Sequence, residues 1–583
     1  GGSGGLALGL AGCLDGALGC LLACGTHLGR LCQPHIYSVG PVIRERVLSR
    51  KHSGNSEVLD IHSLLVRPDP SRSIKKSYRT ICAIGKGGFG SVYRVEYLPT
   101  GQERAIKMLP KPQDSSELEH VLTEVQLLVT LDHPSIEKFF EFFEDEKVIC
   151  LVTELCLGGN LGELNLHSTS EEEIRLLFHD VVAAVAYCHG QGVVHRDLKF
   201  DNCLLTKQEN HQRRVVKVID FGLSALRPES MQAAEELWMN EAVGTVYFIA
   251  PEVLRSEQSC SSKYGSKCDM WSIGVMLYIV YTDQHPFARS GVGVSQILRN
   301  IQGHSVRSEP LSEVAAPEST KALLFGLLQR EPSERLSAQD ALAHAYFQGG
   351  SAPSSRTSPQ AMRSILGRAG SFAHFSRFEK AILTIVAHDA RHREVEDLSK
   401  AFSTLDEQGA GWLSREGIEQ ALANKGIKLP KSALEAAFEA LDPDGDDKIM
   451  YTDWLAATIR PSALTGEAAM REVFDFFDIH GHGKVSRGDM VEVLGEEVLS
   501  REHAAYLLPE EWDPSLTEEE EREVSWDGFK LLMERVARHL QVKERVAARA
   551  AGEGSLLERL SWVAKTRQRP PPYPSFGLEP PPP

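Results

Sequence analysis

The sequence predicts an α+β chain built of two unlike parts, and three observations carry that expectation. From Tyr78 to Phe347 short β-like apolar runs separated by turn residues give way to mostly helical periodicity. From Glu396 to Leu540 the period is helical throughout, and polar loops begin at Asp406, Asp442 and Asp478, 36 residues apart. Charge is also lopsided. The second stretch holds 32 acidic and 15 basic residues, a net −17 that equals the charge of the whole 583-residue chain, so the remainder is neutral. An acidic module on a neutral one argues against nucleic acid as the main partner and suits a module that binds cations or basic helices. A chain this long does not form one hydrophobic core.

Residues 1–77 read as a disordered leader. Its apolar stretch 6–25 is interrupted by Asp15 and lacks a basic flank, so neither a signal peptide nor a membrane span is expected. The chain opens on glycine rather than methionine, from which we expect its natural start to lie upstream. Cys13, Cys20, Cys24 and Cys32 could carry acyl anchors to a membrane. The other seven cysteines show no metal-type spacing and read as reduced thiols, which places the chain in the cytoplasm.

In residues 78–347 the chemistry lies in short ordered motifs. Gly85-Lys86-Gly87-Gly88-Phe89-Gly90 with Val92 fits G-x-G-x-x-G-x-V, a hairpin whose bare backbone can close over phosphates. Alone it is weak, because glycine-rich hairpins are common. Ala105-Ile106-Lys107 then places a lysine on a strand, and Glu124 on the amphipathic run that follows is its natural partner. A surface ion pair would look the same. His195-Arg196-Asp197-Leu198-Lys199-Phe200-Asp201-Asn202 and Asp220-Phe221-Gly222 decide between them, followed by Gly244-Thr245 and Ala250-Pro251-Glu252.

This ordered set resembles the eukaryotic protein kinase family. The resemblance implies a bilobal fold with ATP in the cleft and serine or threonine hydroxyls as acceptors. Asp197 would orient the acceptor proton and Lys199 neutralise the moving phosphoryl, while Lys107 and Glu124 fix the phosphate tail. Asn202 and Asp220 would hold Mg²⁺. Gly85 to Gly90, Val92, Ala105 and the hinge residue Glu154 would line the nucleotide, and Thr245 marks the Ser/Thr branch. Glu252 looks like the partner of Arg335, and Asp269 like the brace of the catalytic loop. The sequence departs from the family in Phe200, where proline is usual, and in Asn160, where a glutamate often reads a basic residue of the substrate; the second puts Arg-directed specificity in doubt.

Residues 348–395 form a Gly/Ser/Pro-rich linker and a basic helical junction. Phe372, Phe375, Phe378, Ile382 and Ile385 make an apolar stripe flanked by Arg377, Lys380, Arg391 and Arg393. It suits a helix laid in the groove of the acidic module, and an ordinary packing helix would show the same stripe. Ser371, three residues after Arg368, is a candidate autophosphorylation site.

Four loops follow, starting at Asp406, Asp442, Asp478 and Thr517. Calcium wants oxygen ligands at loop positions 1, 3, 5, 7, 9 and 12 and a glycine at 6. The second loop comes closest, with Asp442, Asp444, Asp446, the Lys448 carbonyl and Asp453, but Asp447 replaces the glycine. The third puts His480 and His482 at ligand positions; the first has Ala410 and Gly417, and the fourth lacks both terminal carboxylates. The order of kinase, junction and four EF-hands resembles the calcium-dependent protein kinases of plants and protists. That implies a calmodulin-like all-α domain over 396–540, and a junction that blocks the cleft until Ca²⁺ opens the EF-hands. A Ca²⁺-insensitive scaffold, or a pseudokinase acting as an interaction protein, are the alternatives. The tail 541–583 ends in a proline-rich run.

Overall fold

The computed structural model describes residues 74–552, apart from 88–89, 112–114, 145–146, 165–168, 208–212, 227–245, 259–263, 289–290, 304, 349–357, 374, 391, 407–408, 428–433, 436–437, 439–440, 443–444 and 495–522. The leader up to residue 73, the four early cysteines, Gly88, Phe89, Gly244, Thr245, Arg391, Asp444, the opening of the fourth loop and the proline-rich tail lie outside them, while the last leader residues, Ile74–Ser77, form a helical turn. Among the described residues no helix is long and apolar enough to cross a membrane.

The first lobe is a five-stranded antiparallel sheet in the order β1-β2-β3-β5-β4. The strands are β1 (Tyr78–Gly87), β2 (Gly90–Tyr97), β3 (Gln102–Pro110), β4 (Phe139–Glu144) and β5 (Val148–Glu154), with helix α1 (Ser115–Thr130) between β3 and β4. Alternation assigns the two faces of β3: residues three apart on a strand point to opposite sides. Lys107 therefore faces α1 and the cleft. Arg104 and Ile106 face the rear, where Ile106 joins Tyr78, Tyr97, Phe140, Phe143 and Val152 in a small apolar cluster. Gly90 is required by close approach, since a Cβ there would stand 2.2 Å from the Met108 carbonyl oxygen.

The second lobe is helical around α2 (Glu171–Gly190) and α3 (Lys267–Thr282), with short two-stranded ladders carrying the catalytic loop. Its brace is Arg335, whose guanidinium makes a forked pair with Glu252 at 2.6 and 2.9 Å. Both groups are buried, where a two-bond carboxylate pair offsets the desolvation of its charges.

The junction is two helices, α4 (Pro359–Phe372) and α5 (Arg377–Asp389), rather than the single stretch expected. Ser376 breaks it: its side chain caps α5 by accepting from the Glu379 amide, and Glu379 returns a carboxylate to the Ser376 amide. Ser371 does not meet the requirement of a phosphosite. It is buried in α4, donating to the Gly367 carbonyl, so a kinase could not reach it without unwinding the helix.

The regulatory module follows as α6 (His392–Leu405), α7 (Arg415–Asn424), α8 (Tyr451–Thr458), α9 (Glu467–Phe477), α10 (Arg487–Leu494) and α11 (Trp526–Gly552). The loops pair as EF-hands do. Leu413 bridges Ile449 between the first and second, and Lys484–Val485 pairs with Val524–Ser525 between the third and fourth.

The fully buried Glu379 also receives His539 at 2.9 Å and Lys543 at 2.7 Å from α11. Burial alone would raise its carboxyl, but His539 and Lys543 outweigh it and hold the group down to about 2. Because the folded value is depressed, its stabilisation is present above the unfolded value near 4.3 and is lost as pH falls toward 2, about 3 kcal/mol in all. Glu379→Gln should therefore lower the urea midpoint of the full chain at pH 7, and the gap to the parent should narrow steadily from pH 5 downward.

Candidate active site

The cleft between the lobes collects the sequence-flagged groups from five separate segments. Lys107 on β3 meets Glu124 of α1 at 2.5 Å and Asp220 at 2.8 Å. Burial would lower the lysine, but the two carboxylates outweigh it and raise it well above its ordinary range, so its charge is fixed. Glu124 is pushed up by burial, an effect offset by Lys107, while Asp220 is pulled down by Lys107 against its own burial. An amine bonded to both carboxylates ties α1, β3 and the Asp220 loop into one arrangement.

Across the cleft Lys199 donates to the Asp197 carboxylate at 2.6 Å. The Asn202 amide nitrogen donates to the Asp197 carbonyl at 2.8 Å and to its carboxylate at 3.2 Å. Two residues here hold left-handed backbone, Arg196 at φ 67° and Asp220 at φ 65°. The surroundings impose the first, because the buried carboxylate of Asp269 accepts from the His195 amide at 3.0 Å and the Arg196 amide at 2.9 Å. His195 in turn bonds the Ile219 carbonyl at 3.1 Å and lies against the Phe221 ring.

Val92 and Ala105 lie on the cleft side of the sheet, with Val92 between Gly85 and Lys107 and Ala105 opposite Thr153. The Glu154 carboxylate turns away to Lys217 and the Lys138 amide, both at 2.7 Å, so only its backbone can serve a nucleotide. Phe200 rests edge-on against Phe248 at 5.5 Å, and the Asn160 side chain accepts from the Gly162 amide to cap its own turn.

Comparison with known proteins agrees with this geometry. The protein kinase domain family matches residues 78–347, and the EF-hand domain pair family matches 395–459. Calcium-dependent protein kinase 17 of Arabidopsis thaliana is 31% identical over 79% of this chain and 85% of its own length. Calcium-dependent protein kinase 33 of the same plant is 29% identical over 76% and 81%, and calcium-dependent protein kinase 5 of Plasmodium falciparum is 28% identical over 70% of each. The chain belongs to the calcium-dependent protein kinases. It is an ATP-dependent serine/threonine protein kinase carrying an EF-hand module.

In this kinase the junction stands behind the cleft. His388 of α5 bonds the Phe139 carbonyl, Lys138 donates to the Ala390 carbonyl, and Arg104 on the rear face of β3 holds Asp389 at 2.9 Å. The blockade of the cleft implied by the family resemblance is thus not the arrangement found. The apolar side of α5 is spent on α8 and α9, and its end is pinned to the opposite face of β3 from Lys107.

The module reaches the kinase through residues the sequence reading did not single out. Arg104 also binds Glu472 of α9 at 3.1 Å and the Tyr78 hydroxyl at 2.8 Å. Tyr97 donates to Asp475 at 2.8 Å. The Thr452 amide and hydroxyl both donate to buried Asp132, at 2.7 and 2.9 Å. One signal was available: Arg104 shares a strand face with apolar Ile106, where an unpaired charge would be costly.

The loops differ in readiness. In the first, Asp406 accepts from the Ala410 and Gly411 amides, and burial pushes its carboxyl up to about 6. Gly409 and Gly411 lie flat on Leu342 and Tyr187 of the kinase, where any Cβ would stand 2.3 Å from a side-chain carbon, so this loop is a docking surface. In the second, Asp442 accepts from the Asp446 and Asp447 amides, and Asp447 sits at φ 59° where glycine is usual. Asp453 lies in the first turn of α8, next to Thr452.

Proposed function

We propose that this kinase phosphorylates serine and threonine hydroxyls of proteins with Mg-ATP, in a rear-docked state that does not need Ca²⁺, and that Ca²⁺ adjusts its activity weakly through the second EF-hand loop. What supports the catalytic reading is the set of five groups in the cleft. Asp220 and Asn202 offer hard oxygen donors that fit Mg²⁺, the Asn202 amide nitrogen being spent on Asp197. Bound there, magnesium would neutralise phosphate charge. Asp197 holds the acceptor hydroxyl and takes its proton, and Lys199, held on the Asp197 carboxylate at 2.6 Å, neutralises charge on the moving phosphoryl. Lys107 keeps its charge and orients the phosphate tail.

Asn160 spends its side chain on its own turn and offers no negative charge, so substrates need no arginine before the phosphosite. A cytoplasmic setting completes the reading, with early cysteines available for acyl anchoring and no role for nucleic acid.

The regulatory reading is supported by the second loop. It keeps carboxylates at positions 1, 3, 5 and 12, and the residue before Asp453 is fastened to Asp132 of the kinase. An ion that drew Asp453 inward would pull on that fastening. Left-handed Asp447 costs about 1–2 kcal/mol that glycine would not. The test is phosphotransfer to a serine peptide with Mg-ATP across a Ca²⁺ titration of the full chain. We expect substantial activity in chelator and a shallow Ca²⁺ response that Asp442→Ala removes and Asp447→Gly shifts to lower Ca²⁺. Activity wholly dependent on Ca²⁺, or an unaltered response in Asp442→Ala, would refute this reading.

A further inference from the structure

The third loop departs from the others in ligand chemistry, not only in ligand number. Counting from Asp478, it keeps carboxylates at position 1 (Asp478) and position 12 (Asp489), while positions 3 and 5 are His480 and His482. The backbone remains that of an ion-binding loop. The Asp478 carboxylate accepts from the His482 amide at 2.9 Å and the Gly483 amide at 2.7 Å. Gly481 and Gly483 take the left-handed conformation at φ 65° and 74°, and Lys484–Val485 pairs with Val524–Ser525. What has changed is that two oxygen donors are replaced by imidazoles. That substitution weakens a site for calcium, a hard ion that wants oxygen, and favours zinc, which takes imidazole nitrogen and carboxylate oxygen in a four-coordinate shell.

The side chains are arranged to suit. The His480 Nδ1 lies 2.9 Å from Asp489 Oδ1, so the residues at positions 3 and 12 already meet across the loop. Two ligand atoms of a tetrahedral zinc site are separated by roughly 3.3 Å, so an ion entering between this nitrogen and oxygen in place of the shared proton needs little backbone movement. The His480 and His482 rings stand side by side with centroids 5.6 Å apart, against roughly 5 Å for two imidazoles on one zinc ion. Both histidines are exposed, while Asp478 and Asp489 are buried at the loop base. Asp489 is further oriented by the Ser486 amide and hydroxyl, both at 2.8 Å on its second oxygen, which directs the first toward His480. Among the described residues no three such side chains already converge on one centre, so binding must draw the Asp478 carboxylate and the exposed His482 ring onto the His480–Asp489 pair.

We propose that the third EF-hand loop is a zinc site, with Asp478, His480, His482 and Asp489 as its ligands. Its position gives such an ion a mechanical consequence. Asp478 caps the end of α9, the helix whose Glu472 and Asp475 hold Arg104 and Tyr97 of the kinase lobe. Zinc on Asp478 therefore acts at the root of the helix that docks the module to β3.

The experiment uses the full-length kinase, stripped of metal and then equilibrated with Zn²⁺, with bound metal counted per chain and Co²⁺ substituted as a spectroscopic probe. Other histidines and cysteines bind some zinc, so the reading is the difference between parent and variant. The parent should hold one more tightly bound Zn²⁺ than the variant His480→Ala with His482→Ala, and its visible bands of tetrahedral Co²⁺ should be more intense by the contribution of one site. Asp442→Ala, in the second loop, should leave both readings at parental values. A second variant, His480→Asp with His482→Asp, restores carboxylates without shortening the loop; it should lose the same zinc equivalent and gain a Ca²⁺ site. Equal zinc content and equal Co²⁺ spectra in parent and in either folded double variant overturn the proposal, as does loss of the same equivalent in Asp442→Ala.

Discussion

Asp197→Asn will lower kcat by roughly 10²–10⁴-fold, the range a positioned general base supplies, and will leave the chain folded. The substitution keeps the shape of the side chain and removes its charge. In the parent the carboxylate accepts from Lys199 at 2.6 Å and from Asn202 at 3.2 Å. An amide at that position binds the lysine more weakly, so Lys199 loses its anchor as well as the hydroxyl losing its proton acceptor. The Asn202 contact to the Asp197 backbone carbonyl is untouched, so the metal-facing loop should hold its form. The loss should fall on kcat rather than on the KM for ATP, because Lys107, Glu124 and Asp220 keep their contacts. Steady-state kinetics with a serine peptide, alongside a urea melt, measures both. Turnover within a few-fold of the parent would remove Asp197 from the chemistry.

Arg104→Ala will cost about 3–5 kcal/mol, because removing one partner leaves uncompensated buried charge. Arg104 is 3% exposed, and its guanidinium lies between the Tyr97 and Phe140 rings at 4.4 and 4.2 Å. It bonds Asp389 of the junction, Glu472 of the module and Tyr78 of its own lobe. Burial and then Asp389 push the Glu472 carboxyl well up, whereas Arg104 holds Asp389 low against its burial. The Asp389 carboxylate therefore depends on the Arg104 charge beside it. Without Arg104, the Asp389 charge stays buried and unpaired, and the module should part from β3. Amide hydrogen exchange should quicken in α9 and at the end of α5, while the Arg335–Glu252 pair in the far lobe stays protected. Adding Asp389→Asn and Glu472→Gln to Arg104→Ala should restore part of the loss. Exchange in α9 equal to the parent's would show that the knot does not hold the module.

The catalytic groups were legible because each lies inside a contiguous motif whose spacing is set by local backbone: the glycine hairpin before Lys107, the loop from His195 to Asn202, the turn at Asp220. The two-helix break in the junction was legible too, in the Ser376-x-x-Glu379 capping box, but the apolar stripe from Phe372 to Ile385 ran across it and hid the stop. The eroded chemistry of the loops was readable from residue types alone, since the loss of oxygen ligands needs no coordinates to notice. Only the tertiary structure decided where the junction and module sit. Arg104 finds its partners 285 and 368 residues away, and Thr452 finds Asp132 across 320. Helical and strand periods report which face of an element is buried, but not which distant element covers it. The same limit explains Ser371, whose basic neighbour suggested a phosphosite while its burial in α4 withdrew it, and the first loop, where Ala410 and Gly417 signal a lost ion site locally but the flat seat of Gly409 on Leu342 and Gly411 on Tyr187 exists only in three dimensions.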